Sequence, residues 1–349
     1  MKGHNNNIFN PKISIVIVNY KQPQFVINCI NSIIENTKVL FEVIVVNNDK
    51  DDSLGNSLQL FQEKCVVKYF HTAENIGFAR ANNIGIKHSS GAFILLLNSD
   101  TLIIDNAIDK CVSLFEQSDL VACGVQLLNA DGSFQHSGTH FNFKNAGVVL
   151  KWPYIKMIYN KIKDRDRKPY SYQILPKGNQ QYVQVDWING AFLMVKRAVI
   201  DKAGLLDEEF FLYSEETEWC YRIGKTCGKL GLFREPQVIH YQGVSAAEAF
   251  KTGVTGYNDV FTSLGKQMIV SEFLRTKKQF GMFWMLLIYI MSIAMLPLIW
   301  FMALLDNIFK GKRATYTVSQ ILIFSGILLS CGKYCMRMLY GKPYFYKVI

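Results

Sequence analysis

The first hundred residues alternate short, unbroken apolar runs with longer stretches whose apolar positions recur at helical spacing. Ile13 to Val18 is a continuous β-branched run, followed by Asn19-Tyr20-Lys21 and then by Phe25 to Asn36 with a helical pattern. Phe41 to Val46 is a second run, ending in Asn47-Asn48-Asp49. A helix around Leu54 to Lys64, a short strand Val66 to Phe70 and a helix opening at Gly77 follow, the last with Ala79 and Ala81 small enough for close packing. Phe93 to Leu97 is the third run, and it stops abruptly at Asn98-Ser99-Asp100. Apolar runs without polar alternation predict strands covered on both faces, as in a mostly parallel sheet flanked by helices. Ligands of such sheets bind beyond the carboxyl ends of the strands, so Asn19, Asn47 and Asp100 are expected along one edge.

The pattern changes near the end of the chain. No charged residue occurs from Phe280 to Leu305, a stretch that as a helix would run about 39 Å against a hydrocarbon core of about 30 Å. A second uncharged stretch runs from Ala314 to Gly332, and Pro297 predicts a break in the first. Two spans would carry Asp306 to Arg313, with Lys310, Lys312 and Arg313, to the far side, against the positive-inside tendency; Arg275, Lys277 and Lys278 would be correctly placed. Helices lying in the cytoplasmic leaflet fit this charge pattern better than a hairpin through the membrane. A buried helix pair or a dimer contact is the alternative, so an oligomer stays open. The division expected is residues 1–265 as an α/β domain and 266–349 as a helical, membrane-associated region.

Composition refines this only in part. Half of the 349 residues are hydrophobic and the net charge is +10, a balance that attracts nucleic acid, anionic lipid or phosphorylated substrates alike. The eight cysteines contain no Cys-X-X-Cys pair and several sit in apolar runs, which predicts free thiols in a reducing compartment. The N-terminal residues lack the apolar core of a signal peptide, so the α/β part is expected in the cytoplasm.

Chemistry enters through absences and clusters. No Gly-X-Gly-X-X-Gly follows the first strand and no Lys-bearing phosphate loop exists, which argues against a dinucleotide dehydrogenase and a P-loop enzyme. Tyr20 offers a ring to stack a base and Asn47 an amide to read its edge, though both types also serve as turn residues. Glu215, Glu216 and Glu218 follow the apolar Phe210-Phe211-Leu212-Tyr213, and adjacent carboxylates against apolar surface have raised pKa values suited to a base. The same cluster reads as a helix start, with Ser214 as cap and Glu218 paired to Arg222 four residues on. His240, after Val238-Ile239, reads as a core histidine or a ligand. Trp187, Asn189 and Gly190 offer an acceptor-side surface or ordinary core. The segment Gly138 to Gln181, rich in Lys, Arg, Tyr and Asn, reads as an acceptor loop or a solvated excursion.

Taken in order, SIVIVNY, VIVVNND, ENIGFARANNIGI and LLLNSDT resemble the family 2 glycosyltransferases, inverting enzymes with a GT-A fold, and within them the rhamnosyltransferase-like group. The stretch from Val185 to Arg222 is the most specific match, and VIHYQGVSA, Val238 to Ala246, resembles the group's closing His segment. The resemblance implies a base-binding role for Asn19, Tyr20 and Asn47, and a place beside the ribose and diphosphate for Gly77 and Asn83. It sets Asn98 and Asp100 at the family's Asp-X-Asp position, with only the last carboxylate kept. Glu216, preceded by Glu215, falls on the catalytic base, and His240 on the residue that completes a metal site with Asp100. Asn47 and Glu216 both stand where the group has Asp. The ion implied is Mg²⁺ or Mn²⁺, with the imidazole favouring Mn²⁺. The partners implied are a UDP-, dTDP- or GDP-linked sugar and a glycan or lipid-linked glycan of bacterial surface polysaccharide, at the cytoplasmic face of the cell membrane, with no nucleic acid. A sugar-phosphate nucleotidyltransferase would carry a Gly-rich, Lys/Arg-bearing loop where this chain has NYKQPQ. A non-catalytic glycan-binding subunit is the remaining alternative.

Overall fold

The computed structural model describes residues 10–141, 152–155, 157–158, 181–241 and 260–349. The N-terminal nine residues, most of the Gly138 to Gln181 segment and residues 242–246 of the closing His segment lie outside the described residues. The strands are β1 (Ile13–Asn19), β2 (Phe41–Asn47), β3 (Val66–His71), β4 (Phe93–Asn98), β5 (Thr101–Ile103), β6 (Ala122–Leu128), β7 (Gly138–Thr139), β8 (Tyr182–Val185), β9 (Trp187–Ile188), β10 (Phe192–Lys196) and β11 (Leu230–His240). The helices are α1 (Pro23–Glu35), α2 (Ser53–Leu58), α3 (Phe78–Lys87), α4 (Ala107–Glu116), α5 (Arg197–Ala203), α6 (Glu215–Thr226), α7 (Ser263–Phe280), α8 (Met282–Ala294), α9 (Leu296–Lys310) and α10 (Val318–Leu339).

The sheet runs β3-β2-β1-β4-β10-β6-β11-β5, with β8 beside β11. Its first four strands are parallel, and Asn19 of β1 pairs in register with Asn47 of β2, so the polar strand ends share one edge as expected. Beyond them the sheet is mixed, because β10 lies antiparallel between β4 and β6. The apolar runs gave no sign of this, since a strand covered on both faces has the same pattern in either direction.

Successive side chains of the central strands divide between two cores. Ile13, Ile15, Ile17, Val43, Val45, Leu95 and Leu97 meet α1 and α4 through Ile30, Ile33, Ile108 and Phe115. Val16, Ile44, Val46, Ile94 and Leu96 meet α3, α5 and α6 through Ala79, Ile86, Val199 and Trp219. With each fully buried Val, Ile or Leu contributing about 1.5–3 kcal/mol, these strands form the rigid frame of a GT-A-like fold.

A third cluster joins α7 to α10 with Trp152, Tyr154, Phe210 and Tyr346. The uncharged run breaks at Met295, just ahead of Pro297, as its sequence predicts. The two helices around that break and α10 turn Phe283, Ile290, Leu298, Phe301, Phe309 and Leu322 outward. All eight cysteines are free, with Cys331 and Cys335 buried on one helix face. The basic group before α8 departs from expectation. Arg275 is 5% exposed, and Lys278 pairs with Asp207 at 2.7 Å and with Glu209, so neither is a free membrane-facing charge. The chain then returns: Tyr346 N donates to Glu209 O at 2.9 Å and Lys347 Nζ to Asn75 O at 3.1 Å.

Candidate active site

The strand ends form a hydrogen-bonded shelf. Asn19 Nδ2 donates to Asn47 Oδ1 at 2.7 Å, and Asn47 Nδ2 donates to Asp51 O at 2.6 Å and Tyr69 Oη at 3.0 Å. Asn47 is fully buried and both its amide protons are spent, so it braces the shelf instead of reading a base edge as expected. Asn83 departs from expectation in the same way: its Nδ2 donates to Leu206 O and Glu208 Oε1, its Oδ1 accepts from Leu206 N, and it is 1% exposed. Its amide is not open to a ribose or diphosphate. Tyr20, half-buried beyond β1, keeps a ring near Lys21. Gly77 has φ +88°, and a Cβ there would stand 2.7 Å from Phe211 O, so only glycine fits where this turn meets the segment leading to Glu215. Phe78 N donates to that same Phe211 O at 2.8 Å.

At the end of β4, Asp100 and His240 come together. Asp100 Oδ1 lies 3.3 Å from His240 Nε2, and both residues are buried. His240 Nδ1 donates to Gln135 Oε1 at 2.6 Å, a direction set because Gln135 Nε2 is itself the donor to Asn129 Oδ1 and His240 O. The network thereby occupies Nδ1 and turns Nε2 toward the carboxylate, with Asn98 Nδ2 also 3.3 Å from it. Two lone-pair-bearing atoms facing each other with a fixed tautomer suit a divalent ion. Among the described residues no third acidic, His or Cys side chain joins them, as for an ion that takes its remaining ligands from phosphate and water.

Glu215 and Glu216 open α6, both buried, each with an Oε2 that has no hydrogen-bond partner. Burial, and then the charge of Glu216, pushes the Glu215 carboxyl well above its usual range. Burial also raises Glu216, partly offset by backbone N–H groups of the helix start; Glu272 adds to the rise and Arg275 opposes it. Ser214 is not the side-chain cap its sequence predicts. With Tyr213 it adopts φ +69°, and its Oγ donates to Glu272 Oε1 at 3.2 Å. Glu218 does pair with Arg222, at 2.7 Å. Gly190 lies against Glu216, at 3.5 Å from a Cβ position to Glu216 Cγ. Asn189 closes that turn by accepting from Ala191 N and donating to His136 O, while Trp187 stacks on His136 and keeps a buried, unpartnered Nε1. Ala191 O accepts from Asn98 N at 3.1 Å, so the turn that carries Gly190 is bonded to the strand end that leads to Asp100.

The chain is similar to known proteins. The sequence model of Glycosyl transferase family 2 matches residues 14–182. This stretch is a family 2 glycosyltransferase domain. The chain is a sugar-transferring enzyme by its likeness to glycosyltransferases. It is 26% identical over 241 residues to the low-salt glycan biosynthesis hexosyltransferase Agl10 of Haloferax volcanii, covering 66% of this chain and 68% of that one. It is 23% identical over 240 residues to the O-antigen biosynthesis protein RfbC of Myxococcus xanthus, covering 67% of this chain but only 18% of RfbC. Among solved structures, the mannosyltransferase PcManGT from Pyrobaculum calidifontis, in complex with GDP-Man and Mn²⁺, shares the fold with a TM-score of 0.51 at 11% identity, covering 96% of this chain and 89% of that one.

Sequence reasoning missed three features around these candidate residues. Gln135 has no motif around it. Asn48, which accepts from Ile76 N at 2.9 Å and so holds the turn before Gly77, was hidden beside Asn47. The third is a stripe on α7, Gln267, Ser271, Arg275 and Gln279, whose four-residue spacing was a legible signal.

Proposed function

We propose that the chain transfers a hexose, rhamnose being the sugar its motif series suggests, from a nucleotide-linked donor to a hydroxyl of a glycan or lipid-linked glycan, with inversion, in bacterial surface polysaccharide synthesis. The observation that carries this reading is the buried pair of Asp100 Oδ1 and His240 Nε2, 3.3 Å apart at the end of β4. Asp100 and His240 would hold Mg²⁺ or Mn²⁺, which when bound neutralises charge on a departing diphosphate. Glu216 takes the proton of the attacking hydroxyl, and its raised pKa brings it nearer the operating pH, where a general base works best. Trp187 Nε1, buried and unpartnered, donates to the incoming acceptor, with Asn189 and Gly190 shaping that side. Asn19, Tyr20, Gly77 and Asn98 line the donor side. The names of Agl10 and RfbC support a glycan acceptor.

A thermal-shift series with UDP, dTDP and GDP tests the donor half. One nucleotide should stabilise the protein in Mn²⁺ or Mg²⁺ and lose that effect in chelator; equal melting with and without the ion would remove the metal from the reading.

The catalytic part, residues 1–265, and the helical region, 266–349, work together at the cytoplasmic face of the cell membrane. The outward apolar side chains of α8 to α10 support burial in a leaflet. Tyr154 Oη donates to Asp306 Oδ2 at 3.3 Å and its ring meets Tyr316 at 5.0 Å, so turn and catalytic part share one side. The protein should sediment with anionic vesicles, and protease outside sealed cells should leave residues 306–313 intact. Cleavage there would mean that the hairpin crosses the membrane.

A further inference from the structure

We propose that Glu272 and Arg275 of α7, a largely buried ion pair beneath the start of α6, are positioning residues that hold Glu216 in place and set the field in which it works. The inference rests on the reading of Glu216 as the base.

Helix α7 is covered by α8 and α10 on its apolar side, yet Gln267, Ser271, Arg275 and Gln279 are 0%, 0%, 5% and 7% exposed. Burying such groups is unfavourable unless each finds a partner: Gln267 bonds Tyr346 O and Val348 N of the returning tail, whereas Ser271 and Gln279 bond the segment that carries Glu215 and Glu216. Ser271 Oγ donates to Leu212 O at 2.7 Å, and Ser214 Oγ donates to Glu272 Oε1 at 3.2 Å. Gln279 Nε2 donates to Thr217 O at 3.4 Å, and Tyr221 Oη donates to Gln279 O at 3.1 Å. Arg275 ties this set together, pairing with Glu272 and donating through Nη1 to Gln279 Oε1 at 3.0 Å, while its buried Nε has no hydrogen-bond partner.

Two consecutive left-handed residues, Tyr213 and Ser214, stand directly before the carboxylates. Such a backbone persists only when its surroundings hold it, and the bonds from Ser271 and Glu272 on either side of Tyr213 do so. A buried ion pair adds little net stability, which leaves its field on the neighbouring site as its distinctive contribution. The ionisable groups acting on Glu216 come from two elements. Glu215, Tyr213 and Cys220 belong to its own segment, and Glu272 and Arg275 to α7; Glu218 is held by Arg222, and Gly190 brings no charge. Among the described groups acting on Glu216, the cation is Arg275.

The experiment is the pH dependence of turnover by the full chain, read as nucleoside diphosphate release from a UDP-, dTDP- or GDP-linked hexose. A base must be ionised, so losing the nearby cation moves the acidic limb to higher pH and losing the nearby anion moves it lower. Arg275→Met should raise the limb by roughly half a pH unit or more, and Glu272→Gln should lower it by a similar amount. Donor KM should hold in both. Arg275→Lys should restore the limb while kcat stays reduced, because an ammonium replaces the charge but not the forked geometry; it keeps the test open if the Met variant does not fold. Unmoved limbs, or limbs moving the same way, overturn the proposal whatever happens to kcat. If Glu216→Gln retains turnover, the base reading fails instead, independently of Arg275.

Discussion

Glu42 and the Glu215–Glu216 pair are all buried carboxylates, but the fold surrounds them in opposite ways. Glu42 stands near the amino end of β2, where Ser14 Oγ donates to its Oε1 at 2.6 Å, Ser90 N at 2.6 Å and Ser90 Oγ at 2.7 Å, and Lys68 Nζ lies 2.7 Å from Oε2. Burial alone would raise its carboxyl; Lys68, Ser14 and Ser90 outweigh that and hold it below the usual range. Glu215 and Glu216 sit in the site at the other end of the sheet, each with an unpartnered oxygen, and burial raises both. A buried carboxylate with its partners supplied by the protein is a fastener. One left short of partners is held ready for a ligand that will supply them.

That contrast separates activity from stability, and it can be broken at either end. The largest effect is expected from Asp100→Ala, which should cost on the order of 10³-fold in turnover with little change in melting temperature. Turnover that survives both this change and chelator would detach the strand edge from the chemistry.

At the fastening end the order reverses. Glu42→Gln should lower unfolding free energy by about 1–3 kcal/mol, since a buried amide cannot accept all the bonds that Ser14 and Ser90 give the carboxylate, while kcat stays near that of the parent. The two ends should also respond oppositely to pH. The folded pKa of Glu42 is depressed, so its stabilisation is present above the unfolded value, near 4.3, and is lost as pH falls through the folded one. Glu215 and Glu216 are raised, so the folded state is favoured while they are protonated and that advantage is lost as pH rises. The double Gln variant should therefore unfold later than the parent at neutral pH, by about 1–3 kcal/mol, and converge with it in acid. Urea titrations at two pH values check both; a double variant less stable than the parent at neutral pH would end the contrast.

Much of the frame was legible because strand runs report which faces are covered. Ile13 to Val18, Phe41 to Val46 and Phe93 to Leu97 became β1, β2 and β4, and their polar ends met at one edge. What such a run cannot report is direction or neighbour, so antiparallel β10, which brings Ala191 to Asn98, was invisible. The partners of Asn47 and Asn83 were hidden for a related reason: an amide at a strand end or helix face looks the same whether its protons meet a ligand or Asp51, Tyr69, Leu206 and Glu208. Arg275 was assigned to the membrane because flanking charge is the usual company of an apolar helix. Its place in the repeat through Ser271 and Gln279, four residues apart, was the stronger signal.

The most direct test of the account is the rate of sugar transfer by Glu216→Gln set beside Glu215→Gln, with nucleoside diphosphate affinity measured on the same preparations. Glu216→Gln should lose 10²–10⁴-fold or more in kcat at unchanged nucleotide affinity, because only proton removal in the transition state is lost; Glu215→Gln should keep the larger share of its activity. Near-parental transfer by Glu216→Gln, or a loss confined to Glu215→Gln, would contradict it.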